Sequence, residues 1–382
     1  MKIAILVPDN RDEHRRYSDP QPYFGTAPTA LLEGLAKERT CEIHIVCCTQ
    51  KELRSPAKLA DNIHYHSIVV PKWGWLRGAY VGCVRAVRSL LRNINPDVVH
   101  GQGTERYCAL AAVYSGSPNV LTIHGNMRQI AKVNRARPFS FLWLTAKLER
   151  RALLRTNGVV CISSHTQRNV QDLVPRTWIV PNAVASDFFN LRRNPVSPKT
   201  ILCVANIAPL KNQARLIEAL DPLSQKDDFR LVFYGSLSNH DPYGVHFLRK
   251  VNDRPWCEYA GFADQQKLRS ALSSASLLVL PSLEENCPMA VLEAMAAGVP
   301  VTATNAGGVP DLVKDRVEGL LFNPDDVHGM RASIQQLLRD EDLALRFAAC
   351  AKDKATKQNH PESVAKRHLE IYHEIQSNAR ME

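Results

Sequence analysis

The segment from Leu277 to Val301 constrains the fold more than any other part of this 382-residue chain. It begins with an apolar run, passes through a polar loop that starts at Pro281, and continues into an alanine-rich run that ends at Gly298. A β-branched run follows at once. This order is typical of two buried parallel strands joined by a helix that ends in glycine. The segment therefore predicts a parallel sheet.

Strand-like runs alternate with helix-like runs along the whole chain, which predicts parallel α/β architecture throughout. The predicted strands of the first half are Ile3–Val7, Glu42–Cys48, Ile63–Val69, Asp97–His100, Val120–His124, Gly158–Ser163 and Trp178–Val180. Those of the second half are Thr200–Val204, Phe229–Tyr234, Cys257–Ala260, Leu277–Leu280, Val299–Thr302 and Leu320–Phe322. Residues 187–198 contain two prolines and no clear period, and they are the predicted linker.

Composition narrows the class of protein. The hydrophobic share of 45% is typical of a globular chain, and no apolar run approaches the roughly 18 residues of a membrane span. The first apolar run is too short for a signal peptide and predicts a buried strand. The ten cysteines include no Cys-x-x-Cys pair, and several lie in strand-like runs. We therefore expect reduced thiols in a cytoplasmic protein.

The net charge of +10 is unevenly distributed, with fourteen Lys or Arg and three acidic residues between positions 72 and 155. Seven basic residues recur there at helical spacing: Arg77, Arg85, Arg88, Arg92, Lys147, Arg151 and Arg155. On a helical wheel the first four share one arc beside an apolar arc, and Trp73 and Trp75 precede them. These residues predict contact with an anionic membrane surface or a lipid-linked acceptor. A soluble or polyanionic acceptor is the alternative.

Two glutamates flank the start of the alanine-rich helix. Glu285 lies in the loop before it and Glu293 lies inside it, with seven residues between them. Each carboxylate can accept hydrogen bonds from hydroxyls, and the free N–H groups at the helix start favour an anion. The arrangement suits a phosphorylated sugar, and two solvated glutamates in an ordinary βαβ unit are the alternative.

The segment resembles the glutamate–seven–glutamate signature of the retaining glycosyltransferases of the GT4 family, which usually ends in Leu-Glu-Ala-Met-Ala-x-Gly-x-Pro-Val. This chain carries that ending from Leu292 to Val301. The resemblance covers nearly the whole chain and is strongest from Ile201 to Pro324. It implies the GT-B fold, an α/β fold with two doubly wound Rossmann-like domains facing each other across a central cleft.

The final helix of that fold commonly crosses back to the first domain. The resemblance therefore implies an acceptor-side domain of residues 1–186 joined by residues 365–382, and a nucleotide-sugar-binding domain of residues 199–364. It also implies transfer of a sugar from a nucleotide-diphosphate sugar to a hydroxyl of a glycan or lipid-linked acceptor, with retention of anomeric configuration.

Residues 204–212 resemble the family's Gly-Arg-x-x-x-x-Lys loop, whose two cations neutralise the nucleotide diphosphate. Lys211 occupies the lysine position. Asn206 stands where the family has arginine, and Ala205 stands where it has glycine. Because asparagine supplies no charge, we expect stabilisation of the leaving group to depend on Lys211 and on helix N-termini.

Other loops match the family less completely. His124 ends a predicted strand where the family has a histidine near the reacting sugar, although a structural histidine is the alternative. Gly307 and Gly308 match a loop whose backbone N–H groups approach an anion. Gly25 and Thr26 lie where the family has paired glycines after the first strand, and only one glycine remains.

The resemblance thus implies three catalytic residues, namely Glu285, Lys211 and His124. The implied donor-binding residues are Asn206, Lys211, Gly235, Gly261, Phe262, Glu285, Asn286, Cys287, Pro288, Met289, Ala290 and Glu293. An acceptor or phosphate loop is implied at Gly25, Thr26, Gly307 and Gly308. The aspartate pairs at 227–228 and 325–326 lie in polar turns, so we expect no metal and no cofactor beyond the nucleotide sugar as co-substrate.

Three other classes compete with this interpretation. A nicotinamide dehydrogenase should carry G-x-G-x-x-G after the first strand, where this chain has Pro8 to Arg11. A non-catalytic basic protein that binds nucleic acid would explain the charge, but the chain has no aromatic-plus-basic motif and we expect no specific nucleic acid partner. A GT-B relative such as a nucleotide-sugar epimerase is the serious alternative. We expect a cytoplasmic location, with peripheral attachment to the cytoplasmic face of a membrane if the basic residues dock there.

Overall fold

The protein is described here by a computed structural model that covers residues 1–238 and 240–379. The chain forms two compact units. Unit 1 comprises residues 1–183 and the chain from Pro361 onward, and unit 2 comprises residues 184–360. Both junctions lie slightly before the predicted positions 186 and 364. Residues 380–382 of the expected returning segment lie outside the described part.

Unit 1 is built on an eight-stranded sheet. Its strands are β1 Lys2–Leu6, β2 Glu42–Thr49, β3 Lys58–Ala60, β4 Ile63–Val69, β5 Val98–Gln102, β6 Asn119–Ile123, β7 Val159–Cys161 and β8 Thr177–Ile179. Their order is β3-β4-β2-β1-β5-β6-β7-β8, and the recorded pairings are parallel except the edge pair of β3 with β4. The seven predicted strands of this half all form. The sequence did not predict β3, because it is short and only partly buried.

Unit 2 is built on a six-stranded sheet whose recorded pairings are all parallel. Its strands are β9 Lys199–Val204, β10 Phe229–Tyr234, β11 Cys257–Tyr259, β12 Leu277–Leu280, β13 Val301–Thr304 and β14 Leu320–Phe322. Their order is β11-β10-β9-β12-β13-β14. The six predicted strands are confirmed to within two residues at their ends.

Helices cover the sheets. In unit 1 they are α1 Asn10–Glu13, α2 Thr26–Leu35, α3 Val81–Ile94, α4 Tyr107–Val113, α5 Met127–Val133, α6 Phe141–Leu153, α7 Ser164–Val170 and, after unit 2, α16 Pro361–Ala379. In unit 2 they are α8 Ser186–Phe189, α9 Gln213–Ser224, α10 Pro242–Asn252, α11 Gln265–Ser274, α12 Met289–Ala297, α13 Val309–Leu312, α14 Val327–Arg339 and α15 Glu341–Asn359. Among the residues described, no helix has the length and apolar character needed to cross a membrane.

The central strands are buried on both faces. In β1, Ile3 and Ile5 join one core with α2 and α16, whereas Ala4 and Leu6 join a second core with α3 and α4. Successive side chains of a strand point to opposite faces, so a continuous apolar run supplies both cores at once. The core of unit 2 combines β9, β10 and β12 with α9, α10 and α14.

A proline separates the last two helices and begins the segment that belongs to unit 1. His360 ends α15 in an extended conformation, as a residue before proline prefers, and Pro361 starts α16. The buried residues of α16 recur at helical spacing and include Leu369 and Tyr372. This face packs against α2 and the core beneath it.

The predicted linker is held against unit 2. Its first residues belong to α8, and Asn194 N–H donates a hydrogen bond of 2.8 Å to the Ser273 carbonyl. Arg193 donates to the carbonyls of Gly298 at 2.9 Å and Ala275 at 2.6 Å. The lack of a period in residues 187–198 therefore reflects an irregular but anchored chain.

We expect Gly34→Ala to weaken the packing of α16 on α2. A Cβ atom at Gly34 would lie 2.1 Å from the Pro361 carbonyl oxygen and 2.9 Å from the Ala365 Cβ. Overpacking of this kind costs about 1–3 kcal/mol, and the gain in helix propensity recovers at most about 1 kcal/mol. Urea unfolding should show a net loss of stability.

Lys37→Ala provides the matched comparison, since it removes the exposed Lys37–Glu362 ion pair, at 2.5 Å, between the end of the α2 segment and the start of α16. Exposed ion pairs contribute about 0–1 kcal/mol, so this variant should unfold close to the wild type. An equal loss in both variants, or no loss in Gly34→Ala, would contradict the prediction.

Candidate active site

The predicted donor-binding residues of unit 2 lie in loops that follow the carboxyl ends of its strands. The strand order reverses between β9 and β12, because β10 and β11 continue on one side of β9 while β13 and β14 continue beyond β12. Ligands of open parallel sheets bind outside the carboxyl ends at such a reversal. The loops after β9 and β12 carry Lys211 and Glu285, so the topology places both residues beside the expected position.

Lys211 and Glu285 form an ion pair. The Lys211 Nζ atom donates to Glu285 Oε1 at 2.6 Å, and the Ser282 hydroxyl donates to the same oxygen at 2.7 Å. The two charged side chains are 25% and 10% exposed. The backbone joins the same loops, since Leu283 N–H donates to the Leu210 carbonyl at 2.8 Å. Both groups are therefore held in place by hydrogen bonds, with part of each in solvent.

The glycine pair after β13 contacts the same loop. Gly308 N–H donates to the Glu285 carbonyl at 2.8 Å. Gly307 has a φ of +60°, and a Cβ atom there would lie 1.9 Å from that carbonyl oxygen. A side chain at position 307 would thus displace the Glu285 backbone. The paired glycines position Glu285, which the sequence did not show.

The loops that follow β9, β10 and β11 are joined to one another. Asn206 is exposed, and its Oδ1 accepts a hydrogen bond of 3.3 Å from Ser236 N–H. Gly235 N–H donates to the Gly261 carbonyl at 3.0 Å. Next to Gly261, the Phe262 ring is 66% exposed. Asn206 therefore uses part of its hydrogen-bonding capacity to connect two loops.

The alanine-rich helix α12 begins at Met289. Pro288 is its N-cap residue with a φ of −68°. Cys287 is buried, whereas Asn286 and Ala290 are half-buried. Gly298 ends the helix with a φ of +70°, as its place in the sequence indicated. The first N–H groups of α12 therefore follow directly on the loop that carries Glu285.

Glu293 lies in the second turn of α12 and is only 3% exposed. Gln265 of α11 donates a hydrogen bond of 3.2 Å to its Oε1 atom. Burial disfavours the charged carboxylate and raises the pKa of Glu293 to about 7, although the Gln265 contact opposes this shift. The group therefore exchanges its proton near neutral pH. Neither Gln265 nor Ser282 belongs to a recognised pattern, so their contacts with Glu293 and Glu285 could not be predicted from the sequence.

In unit 1, His124 follows the end of β6 and is half-buried. Its Nε2 atom lies 2.8 Å from Gln102 Oε1. Desolvation lowers the pKa of His124 to about 4, so the ring is neutral at physiological pH. It can position a substrate through hydrogen bonds, but it carries no charge for that purpose.

The loop after β1 is closed by a buried ion pair. Arg11 Nη2 lies 2.7 Å from Asp9 Oδ2, and the Tyr65 hydroxyl donates to the same oxygen at 2.8 Å. Gly25, with a φ of +86°, precedes Thr26, which is the first residue of α2. The guanidinium and the carboxylate occupy the turn where a dinucleotide-binding chain would expose glycine backbone. In this protein an ion pair therefore fills the turn that would carry G-x-G-x-x-G in a dinucleotide-binding chain.

The predicted basic surface is partly rearranged. Arg85, Arg88 and Arg92 are exposed on α3, but α3 begins at Val81, so Arg77 lies in a separate 3₁₀ turn. The helical wheel was therefore wrong for Arg77. The apolar arc that the wheel predicted does face the core: its members are Tyr80, Val84, Val87 and Leu91.

Lys147, Arg151, Arg155 and the two tryptophans also differ in part from expectation. Lys147 and Arg151 are exposed on α6, but that helix ends at Leu153, before Arg155. Trp73 is 71% exposed, whereas the Trp75 indole donates to the Val70 carbonyl at 2.9 Å and packs against a core tyrosine. Of these two tryptophans, Trp73 is therefore the one whose ring is largely available to a surface outside the protein.

Two family models match the chain in succession. The model described as Glycosyltransferase Family 4 matches residues 26–188, and the model described as Glycosyl transferases group 1 matches residues 187–354. This chain belongs to the family 4, group 1 glycosyltransferases. An uncharacterized glycosyltransferase of Methanocaldococcus jannaschii is 23% identical over 88% of this chain and 91% of that protein.

Solved structures of glycosyltransferases share the fold over almost the full length. A sucrose-phosphate synthase from Thermosynechococcus elongatus has a TM-score of 0.76 at 16% identity and covers 99% of this chain and 100% of that one. HepE from Anabaena, solved in complex with UDP-glucose, has a TM-score of 0.71 at 17% identity, with coverage of 97% and 99%. The glycosyltransferase therefore has the GT-B fold, with two Rossmann-like units.

We expect Glu293 to make the stability of this glycosyltransferase depend on pH. Its pKa is about 7 in the folded chain and about 4.3 in an unfolded one, so the folded state retains the proton more tightly. The contribution is fully present below pH 4 and is lost as the pH rises through 7. Glu293→Gln should therefore gain stability over the wild type between pH 4.5 and 8, by on the order of 3 kcal/mol.

Urea unfolding at a series of pH values measures this difference, and Glu→Gln keeps the acceptor for Gln265. Glu258→Gln is the matched control, because Glu258 is exposed and pairs with Arg230 at the surface. A pH-independent difference between Glu293→Gln and the wild type would show that the carboxyl group ionises without cost.

Proposed function

We propose that this glycosyltransferase transfers a sugar from a nucleotide-diphosphate sugar to a hydroxyl of a glycan or lipid-linked acceptor, with retention of anomeric configuration and without a metal. The observation that carries the proposal is the Lys211–Glu285 pair at the carboxyl edge of the unit 2 sheet, 2.6 Å apart and partly open to solvent. Lys211 would supply a cation to the departing diphosphate, and Glu285 would supply a carboxylate to the sugar hydroxyls.

The leaving group would be stabilised by Lys211 and by the N–H groups that begin α12. A diphosphate that breaks away from a sugar gains negative charge, and donors already in place stabilise it without reorganisation. Asn206 supplies one amide where the family has arginine, so a larger share of this stabilisation depends on Lys211. Glu285, held by Ser282 and the Gly307–Gly308 turn, would orient the sugar.

Glu293 would accept the ribose hydroxyls of the nucleotide. The carboxyl group is buried next to Gln265, and burial raises its pKa. Hydroxyl donors favour the ionised form of a carboxyl group, so donor binding would lower this pKa. The nucleobase would contact two loops that are hydrogen-bonded to each other, Tyr234–Ser236 and Ala260–Phe262.

The first experiment incubates the protein with UDP- and GDP-sugars, with and without glycan or lipid-linked acceptors, and measures release of nucleotide diphosphate. UDP-glucose is the first donor to try, because HepE was solved with it. Acceptor-dependent release supports transfer, and NMR of the product should show the anomeric configuration of the donor. A sugar that changes without an acceptor would favour an epimerase, and an inverted anomer would overturn retention.

Two variants should separate the roles within the site. Lys211→Ala should lower kcat by about a hundredfold or more, because it removes a donor to a developing anion. Glu293→Ala should act mainly on the donor KM, since ribose contacts are similar in the ground and transition states. Steady-state kinetics measure both, and Lys226→Ala, on the exposed surface of unit 2, is the control. Wild-type kinetics in both variants would place the site elsewhere.

We further propose that unit 1 docks on an anionic membrane surface. Arg85, Arg88 and Arg92 are exposed along α3, and the acid nearest to them in sequence, Asp97, is half-buried and accepts hydrogen bonds from Lys2 N–H and the Gln376 amide. Basic and apolar groups also alternate in residues 128–141, which expose Val133, Phe139 and Phe141. Cationic surfaces with exposed aromatic rings suit an anionic headgroup layer.

Liposome co-sedimentation measures this docking. The protein should bind vesicles that contain phosphatidylglycerol and dissociate from them at high salt. It should not bind vesicles made of phosphatidylcholine alone. The triple variant Arg85→Glu, Arg88→Glu and Arg92→Glu should lose binding. A control with the same change in charge, made on unit 2 at the exposed residues Lys226, Arg249 and Arg346, should keep it. Failure of the wild type to bind at low salt would remove the membrane from the proposal.

A further inference from the structure

A series of hydrogen-bonded side chains connects His124 with the C-terminal helix α16. His124 Nε2 lies 2.8 Å from Gln102 Oε1, and Gln102 Nε2 lies 3.4 Å from His100 Nε2. On its other side, His100 Nδ1 lies 2.6 Å from the hydroxyl of Tyr372 in α16. Gln102, His100 and Tyr372 are all buried. We name these three residues the positioning chain.

With the Gln102 amide nitrogen turned toward His100, the donors and acceptors of the positioning chain assign each proton. Burial lowers the pKa of His100 well below its ordinary value, so its ring is neutral and has one N–H. Its Nε2 atom faces the amide nitrogen of Gln102, which can only donate, and the hydroxyl of Thr122 at 2.7 Å. His100 therefore carries its proton on Nδ1 and donates it to Tyr372. Gln102 Oε1 then remains to accept from His124 Nε2–H.

The surroundings keep this network neutral. His368 of α16 stacks on His100 at 5.5 Å, and burial lowers its pKa to about 4. Arg367 beside His368 is a charged group on the same helix. The carboxylates near His124 are Glu105, which accepts from Gly125 N–H at 2.7 Å, and Glu149. Both are held by backbone N–H groups, which satisfies them without a proton from the histidine.

We propose that Gln102, held by His100 and Tyr372, sets the tautomer and ring orientation of His124, so that α16 controls the hydrogen bonding of this ring. The importance of His124 for transfer is implied by the family resemblance and depends on the chain transferring a sugar, as proposed, whereas the link itself rests on the geometry. Gln102, His100 and Tyr372 are positioning residues. With Nε2 donating to Gln102, His124 presents Nδ1 as its hydrogen-bond acceptor.

The network would respond as a unit to a change at its far end. Without the Tyr372 hydroxyl, His100 would favour Nε2–H and donate to Thr122. That N–H would then face the Gln102 amide nitrogen, so the amide would rotate and offer its nitrogen to His124. His124 would shift to the Nδ1–H tautomer. A substitution in α16 thus changes the hydrogen bonding of a ring that it does not touch.

The test uses the full-length protein with 15N-labelled histidine, and His124→Asn assigns the His124 signals. The wild type should show His124 as Nε2–H. Gln102→Leu and Tyr372→Phe should both move His124 toward Nδ1–H, whereas Gln336→Leu, an exposed glutamine of unit 2, should not. Gln102→Glu should raise the pKa of His124 from about 4 by about one unit or more, because a carboxylate favours the imidazolium.

Unchanged His124 signals in Gln102→Leu and in Tyr372→Phe would overturn the inference, even if both variants were less stable. In an active enzyme, Gln102→Leu should lower kcat by at least about tenfold with little change in donor KM. The NMR measurements need no turnover. A protein that shows the tautomer shifts but transfers no sugar would contradict the proposed function alone.

Discussion

Burial of the parallel strands on both faces is the constraint on which the rest of the structure depends. Parallel strands cannot be joined by tight turns, so each connection crosses over and the carboxyl ends collect at one edge of the sheet. In unit 2 that edge receives the loops after β9, β12 and β13. Lys211, Glu285 and the Gly307–Gly308 turn come from distant positions in the chain and meet there through topology alone.

The second constraint is the handling of charge inside these units. Asp9 and Arg11 are both buried and pair directly, with Tyr65 as a further partner. Glu293 has no cation beside it among its recorded contacts, and its pKa rises instead. His100 stays neutral for the same reason. A buried group must be paired or neutral, and each choice gives it a different role.

Asn206 stands where the family has arginine, which affects the proposed donor site. Its amide connects two loops through Ser236, whereas an arginine would also add a positive charge. Lys211 is paired with Glu285. Under the proposed function, a diphosphate would compete with this carboxylate for the same ammonium group, and the strength of the pair would then help to set donor affinity.

The sequence by itself determined the strands and the family, because a strand buried on both faces needs a continuous apolar run and the Leu292–Val301 motif is specific. It did not show β3, which is short and lies at an edge. It also placed Arg77 and Arg155 on helices that do not reach them, since local periodicity does not fix where a helix ends.

Only the tertiary structure decided the partners of the candidate residues. Ser282 contacts Glu285 within one irregular loop. Gln265 contacts Glu293, and Tyr372 lies at the far end of the positioning chain that reaches His124, so these contacts join residues in different elements. No local pattern records them, because a hydrogen bond between distant residues depends on how the backbone brings two elements together. The same packing sets burial, and burial decides which carboxylates and imidazoles are charged.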